Sequence, residues 1–300
     1  MKKRKFGDCP YLIITPKTNE VFKYMEQHKL PVRIQIELYS EKIRAIRELA
    51  NNIIFVIATK LPESNDKQAA MLRIYNRMNL LVESVLHLEG DKHYQTIGSI
   101  TRSIFEMFID ISSLFIDKTG ETFDRYIKFS EIEIFRWGKA VNEFYKENPE
   151  MLKFDNSTYM WAENSDVQKK IKQNVDQYWP KAKNDLKKVQ RWSKESRLAL
   201  CQHLDKEKPT GRDSYICFEE MYVMIYSRLS WLIHSGESGT LNFNKQMIEL
   251  TVCESLLNIE DIFCETTLII SRAIINEPQL NDILRTLFDV LDNIDNKYKK

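Results

Sequence analysis

The chain has 300 residues, of which 43% are hydrophobic and 29% charged, and 44 Lys or Arg against 43 Asp or Glu give a formal net charge of +1. This composition is typical of a globular protein with a sizeable apolar core, and it gives no global electrostatic case for nucleic-acid binding, although a local basic patch is compatible with it. Gly and Pro are scarce, at 8 each, which favours long helices over a turn-rich β fold.

Residues 1–30 are interpreted as a loose N-terminal segment. The basic start MKKRKFGDCPYLIITP has too few apolar residues before Pro16 for a secretory signal peptide. The apolar run NNIIFVIATKLP is too short to cross a membrane. The five cysteines form no CxxC pair, and an odd number of them in apolar helical runs indicates reduced thiols. We therefore expect a cytoplasmic location without membrane contact.

Apolar residues spaced by three and four predict four long helices in succession. These helices begin near Val32, Asp66, Asp91 and Glu121. The linker before the second helix offers Ser64, Asn65 or Asp66 as an N-cap. Short connections between successive helices are typical of an antiparallel bundle.

The rest of the chain continues the helical pattern after a more polar stretch. Residues 150–190 are predicted to be a partly irregular insert, whose lysines most simply form a solvated face. Further helices are predicted in WSKESRLALCQHLDKE, in the apolar run CFEEMYVMIYSRLSWLIHSG and in two C-terminal stretches. No repeat or strand alternation is present. The predicted fold is all-α: a multi-helix antiparallel bundle of about eight to ten helices, forming one domain over residues 31–300.

A polar stripe runs along the apolar helix GSITRSIFEMFIDISSLFIDKTG. Its members recur at steps of three and four and so share one helix face: Arg102, Glu106, Asp110, Ser113 and Asp117. The simplest interpretation is a wet edge on a mostly buried helix. The alternative is a polar seam inside the bundle, with Arg102 paired to Glu106, because buried charges persist only when they are paired.

A second stripe lies in YSRLSWLIHSGESG, where Tyr226, Ser230 and His234 follow each other at steps of four. Arg228 precedes His234 by six residues, which on a regular helix turns it about 120° away. The two side chains converge only if the last turn unwinds at SGESG or if a second protomer contributes one of them. The simpler interpretations are that the histidine caps or packs the helix end and that Ser230 bonds back to a carbonyl.

Other chemistries lack their sequence signals. Ser230 and His234 lie one helical turn apart without a G-x-S-x-G elbow, so they do not predict a catalytic triad. SGESG lacks the strand and the lysine of a phosphate-binding loop. No HExxH or close histidine pair indicates a metal site. We therefore expect no metal and no cofactor.

Four segments together resemble a family of bacterial all-helical proteins known only as a domain of unknown function. They are RSIFEMFIDISSLF, DRYIKFSEIEIFRWGKAVNEF, WSKESRLALC and YSRLSWLIHSG, and the resemblance spans roughly residues 35 to 275. The family shows an Arg-x-x-x-Glu pair, a Trp-Ser with a nearby Ser-Arg, and a Tyr-x-x-x-Ser-x-x-x-His. The matching positions here are Arg102 with Glu106, Trp192 with Ser193, Ser196 with Arg197, and Tyr226 with Ser230 and His234.

The last motif also resembles the signature of the HEPN class, the helical "higher eukaryotes and prokaryotes nucleotide-binding" domains. That class carries an arginine followed four to six residues later by a histidine, as Arg228 and His234 are here. Its active members are metal-independent ribonucleases that act as dimers and are common as toxins and antiphage effectors. One position departs from the pattern, because active members usually have a polar residue after the arginine and this chain has Leu229.

The resemblance implies HEPN-like C-terminal helices, RNA as the substrate, a homodimer and an antitoxin or defence-system partner of unknown identity. It implies that His234 and Arg228 are catalytic: His234 would accept a proton from a ribose 2′-hydroxyl, and Arg228 would stabilise charge on the phosphorane. Tyr226, Ser230, Arg102 and Glu106 would support them. The alternative is a non-catalytic helical interaction protein in which the Tyr, Ser and His stripe is a buried network. A small-molecule pocket inside the bundle is a third hypothesis.

Overall fold

The computed structural model describes residues 30–58, 65–88, 90–151, 160–183, 185–211, 214, 216–227, 229–230, 244–275 and 277–298. These residues are helical or irregular, and no strand occurs among them. The α-helices are α1 (Val32–Ala58), α2 (Asp66–Leu86), α3 (Gly90–Ile116), α4 (Glu121–Glu147), α5 (Ser165–Tyr178), α6 (Arg197–Glu207), α7 (Phe218–Met221), α8 (Lys245–Ile274) and α9 (Glu277–Tyr298). The prediction of an all-α multi-helix bundle is confirmed.

The predicted beginnings of the long helices agree with the structure because local signals set them. Asn65 caps α2: its side chain accepts from the Gln68 backbone N–H at 2.9 Å, and the Gln68 side chain accepts from the Asn65 N–H at 3.1 Å. This reciprocal capping box satisfies two amides that a helix start leaves unpaired. Asn65 is thus the cap among the three predicted candidates.

The described residues group into two compact units. Unit 1 takes residues up to Ile116 and from Leu198 onward, and unit 2 is Asp117–Arg197. Unit 2 contains the described part of the predicted insert at 150–190. Residues 1–29 lie outside the described part of the chain, and the prediction of a single helical domain over 31–300 stays a prediction.

Helix α8 is the centre of unit 1 and packs mainly against α3 and α1. Ile259, Ile262 and Phe263 of α8 are fully buried, and Phe263 stacks on Tyr75 of α2 at 5.7 Å between ring centroids. The buried Tyr75 hydroxyl is satisfied by Thr267 of α8 at 2.7 Å. Burying a side chain of this size contributes about 1.5–3 kcal/mol, so the apolar stripe of α8 holds its neighbouring helices together.

Unit 2 has its own apolar core, built between α4, α5 and the irregular chain on both sides of α5. Its buried members are Ile132, Phe135, Ala162, Ile171, Val175, Ala182 and Val189. The turn into α4 is organised by Asp117, whose carboxylate accepts from the backbone N–H of Gly120 at 3.0 Å and of Phe123 at 2.9 Å. Gly120 has φ +81°, a left-handed conformation that a glycine adopts without strain.

Candidate functional site

The predicted pair on α3 is formed. Arg102 Nη2 lies 3.4 Å from Glu106 Oε1, and the two side chains are 16% and 34% exposed. Farther along the same stripe, Ser113 is buried and donates its hydroxyl to the Ile109 carbonyl at 2.7 Å. The stripe is therefore not a simple solvent-facing edge: at Arg102 it holds a partly desolvated cation with one carboxylate beside it.

The second partner of Arg102 comes from a distant part of the sequence. The guanidinium carbon lies 4.2 Å from the centre of the Tyr226 ring, which is a favourable cation–π distance. The Arg102 Nε is buried and has no hydrogen-bond partner among the described residues. A planar guanidinium held by a carboxylate and an aromatic face is fixed in orientation. Arg102 is therefore a positioned positive charge whose Nε–H donor is unpaired among the described residues.

The segment that carries Tyr226 is a π-helix, Tyr222–Ser227, and not the regular α-helix that the apolar pattern predicted. The i→i+5 bonding of a π-helix widens the turn, so residues four apart lie nearly above one another. Accordingly, Tyr222 and Tyr226 stack at 5.1 Å with an interplanar angle of 15°. Short π-helical turns often occur at functional sites, and this one presents a two-ring stack to Arg102.

The short helix α7 leads into the π-helix and is fixed by contacts within unit 1. Asp205 of α6 accepts from the backbone N–H of Phe218 at 2.6 Å and of Glu219 at 2.9 Å, which caps the start of α7. The Phe218 ring stacks on Phe108 of α3 at 4.7 Å. This cap and this stack set the position of the π-helix beside α3.

Of the six predicted site residues, the structure brings Arg102, Glu106 and Tyr226 together. Ser230 donates its hydroxyl to the carbonyl of Tyr226, which agrees with the simpler interpretation of a serine that bonds back within its helix. Leu229, the position that departs from the HEPN pattern, is 6% exposed and belongs to the apolar core. Arg228 and His234 lie outside the described residues, so their pairing stays a prediction.

One buried carboxyl group of unit 1 with a raised pKa was not identified from the sequence. Glu265 of α8 is 7% exposed, and burial raises its pKa to about 7. Ser214 donates to Glu265 Oε1 at 3.2 Å, and Glu265 Oε2 has no hydrogen-bond partner among the described residues. The sequence feature that pointed to Glu265 was a lone carboxylate in the apolar run CETTLIIS. Periodicity alone does not distinguish a buried helix edge from a solvent-exposed one.

A second buried charged cluster joins α1, α8 and α9. Lys42 Nζ lies 2.8 Å from Asp295 and 3.8 Å from Glu260, and all three side chains are at most 14% exposed. Burial raises the pKa of Glu260 despite the nearby lysine. The cluster is closed off from solvent by the helices that carry it, so we assign it to the joining of these helices and not to the candidate site.

The described residues contain no group of three or more His, Cys, Asp or Glu side chains placed to hold a metal ion. None of the helices they form is long and apolar enough to span a bilayer. The four described cysteines are free thiols.

Comparison with known proteins gives one match. Residues 68–246 match the model of DUF5677, a family of unknown function, and this range is more than half of the chain. It contains every residue of the candidate site, the described ones and Arg228 and His234 alike. No curated protein and no solved structure matches the chain.

Proposed function

The chain belongs to DUF5677, a family without an assigned activity, and we propose that it is a HEPN-like, metal-independent endoribonuclease. It acts as a homodimer in a toxin or antiphage defence system. Arg228 and His234 of the Arg-x5-His motif are its catalytic residues, and Tyr226, Ser230, Arg102 and Glu106 support them.

The observation that carries the proposal is the contact between Arg102 and Tyr226. It joins the Arg-x-x-x-Glu pair of α3 to Tyr226 of the π-helix, which precedes Arg228 by two positions in the sequence. The contact thus brings Arg102 and Glu106 to the described residue Tyr226, which is followed in the sequence by the Arg-x5-His motif. A partly desolvated guanidinium close in sequence to a further Arg and a His supports chemistry on a phosphate, because fixed cations stabilise charge that develops on phosphoryl oxygens.

The proposed reaction is internal transesterification of RNA. His234 removes the proton of a ribose 2′-hydroxyl, the 2′-oxygen attacks the adjacent phosphorus, and the bond to the 5′-oxygen breaks. The 5′-oxygen takes up a proton, which leaves one fragment with a 2′,3′-cyclic phosphate and one with a 5′-hydroxyl. Arg228 stabilises the negative charge of the phosphorane. Imidazole is the side chain that most readily takes up and releases a proton near neutral pH.

The test uses purified wild type, His234→Ala and Arg228→Ala, with His203→Ala and Arg73→Ala as matched controls at exposed positions of α6 and α2. The substrate is total RNA in EDTA, and the readouts are fragments, their end groups, growth on expression and Tm. We expect cyclic-phosphate ends from the wild type and the controls. Loss of the general base should lower the rate by about 10²–10⁴-fold in His234→Ala at unchanged Tm.

A second candidate is a non-catalytic interaction protein whose stripe is a structural network. It is favoured by the Ser230 hydroxyl, which bonds to the Tyr226 carbonyl, and by the Tyr226 ring, which packs on Arg102. Both contacts are internal. For this candidate, His234→Ala and Arg228→Ala would lower Tm while the wild type leaves RNA intact, and that result would overturn the ribonuclease proposal.

A further inference from the structure

Unit 2 contains a cavity of about 440 Å³ that the candidate site does not use. The segment around it runs from the end of α5 at Tyr178 to the start of α6 and contains short 3₁₀ turns at Pro180–Ala182 and Leu186–Lys188. Aromatic and basic side chains line the cavity, among them Tyr178, Trp179, Lys181, Lys188, Arg191 and Lys194. Glu195 also lines the cavity, and Lys194 and Lys188 pair with Glu121 and Asp185. Cations together with aromatic rings along one cavity are a combination found in proteins that bind single-stranded nucleic acid.

The wall of the cavity is held in place by contacts within unit 2. Arg136 of α4 donates to the backbone carbonyls of Leu186 and Val189. Trp179 Nε1 donates to the carbonyl of Arg191 at 3.2 Å, which ties one end of the loop to the other. Trp192 is 6% exposed and packs edge-on against Tyr126 of α4 at 6.0 Å. The cations are therefore carried by a braced loop, so a ligand need not order it on binding.

The charge around the cavity contrasts with that of the whole chain. Residues 169–197 contain ten Lys or Arg and three Asp or Glu, although the net charge of all 300 residues is +1. Lys181, Lys188 and Arg191 are exposed, and so are Lys169, Lys170 and Lys172 on α5, the helix that leads into the cavity. This tract has more cations than the binding of a single phosphate requires, and it is suited to a polyanion.

We propose that this cavity, with its basic surroundings, binds single-stranded RNA: one base stacks on Tyr178 or Trp179, and the neighbouring phosphates contact Lys181, Lys188, Arg191 and Lys194. The identity of the strand as RNA rests on the proposed ribonuclease function. The chemistry that is recognised is a base linked to phosphates, which a free nucleotide shares. The length of the basic tract favours the strand.

The experiment separates binding from cleavage. The probe is a fluorescent 12-nucleotide single strand with 2′-O-methyl groups throughout, which cannot undergo attack by a 2′-hydroxyl. Its affinity is measured for the wild type, for Lys181→Gln/Lys188→Gln/Arg191→Gln and for the control Lys118→Gln/Lys139→Gln/Lys146→Gln. The control removes the same charge from unit 2 at exposed positions that do not line the cavity.

We expect the cavity triple variant to bind at least about tenfold more weakly than the control triple variant, and the slope of log affinity against log salt to fall by about 2. Tyr178→Ala should lower affinity about tenfold with little change in that slope, because it removes stacking and no charge. Equal affinity of the two triple variants would overturn the proposal, and so would AMP that binds as tightly as the strand.

The experiments distinguish failure of the cavity proposal from failure of the ribonuclease proposal. If the wild type leaves RNA intact but binds the probe through the cavity residues, the cavity stands as a nucleic-acid site and the ribonuclease proposal fails. If the wild type cleaves RNA and the cavity triple variant binds the probe and cleaves as the control does, the ribonuclease proposal stands and the cavity proposal fails. Circular dichroism and Tm of each variant establish that it is folded.

Discussion

The Arg102 guanidinium lies 4.2 Å from the centre of the Tyr226 ring, so the polar stripe of α3 and the π-helix meet through a cation and an aromatic face. The ring of Tyr222 stacks on that of Tyr226, and Glu106 neutralises part of the Arg102 charge. The contact links α3 to a π-helix that lies far from it in the chain, and it makes Tyr226 the residue through which α3 can position the π-helix.

Tyr226→Leu is expected to remove the cation–π contact and the ring stack, whereas Tyr226→Phe keeps both. We expect Tyr226→Leu to lower the free energy of unfolding by about 1–2 kcal/mol and to reduce RNA cleavage well below that of Tyr226→Phe. Urea unfolding and the cleavage rate of each variant provide the measurement. If Tyr226→Leu and Tyr226→Phe are equal in both readouts, the contact has no role.

The stability of the protein should depend on pH through Glu265. Its pKa is about 7 in the folded protein against a usual 4.5, so the folded state binds the extra proton. The stability that the folded state gains from binding this proton is fully present below about pH 4.5 and is lost as the pH rises through 7, by about 3 kcal/mol. We expect Glu265→Gln to remove this loss and to raise Tm at pH 8, while Glu37→Gln at an exposed position of α1 keeps the wild-type profile.

A pH profile of Tm for the three proteins is the check. The nearby Arg272 opposes the rise of the Glu265 pKa, and burial outweighs it. A profile in which Glu265→Gln follows the wild type between pH 5 and 8 would show that this carboxyl group is not protonated on folding.

Lys42→Met is expected to be strongly destabilising, because it leaves the buried Asp295 and Glu260 without their cation. Removing one partner of a buried ion pair costs about 3–5 kcal/mol. Lys297→Met is the matched control, since its pair with Glu41 lies on the surface with the lysine side chain 63% exposed. Chemical denaturation should place the Lys42→Met midpoint far below that of Lys297→Met, and equal midpoints would contradict the prediction.

Gly138→Ala tests the packing of α4 in unit 2. In a helix interior this change usually stabilises by about 0.5–1 kcal/mol. Here a Cβ atom would lie 3.0 Å from the Trp161 ring and 3.3 Å from the Ala162 methyl, so we expect a lower Tm. The same substitution in a Trp161→Ala background, where the ring is absent, should be less harmful. A lower Tm of similar size in both backgrounds would show that the Trp161 ring is not the cause.

Features that depend on residues within a turn or two of each other could be predicted from the sequence. The periodicity of the apolar residues located the long helices, and Asn65 with Gln68 marked the start of α2 through their own backbone amides. Arg102 and Glu106 could be paired in advance because residues four apart lie on the same helix face. Each of these inferences uses helical geometry alone.

Which polar side chains face a partner and which are buried depends on how distant segments pack together. The contact of Arg102 with Tyr226 depends on how α3 packs beside the π-helix, and the run YVMIYS has the same apolar pattern whether it is α or π. Glu265 and Lys42 look like surface residues in a periodic sequence, but the helices packed against α8 and α1 exclude water from them. The lysines of the insert at 150–190 were interpreted as a solvated face, and the folding of the loop around Trp179 places Lys181 and Lys188 at one cavity with Arg191 and Lys194. Burial and long-range contact depend on packing between segments that are distant in the chain, and no local pattern encodes that packing.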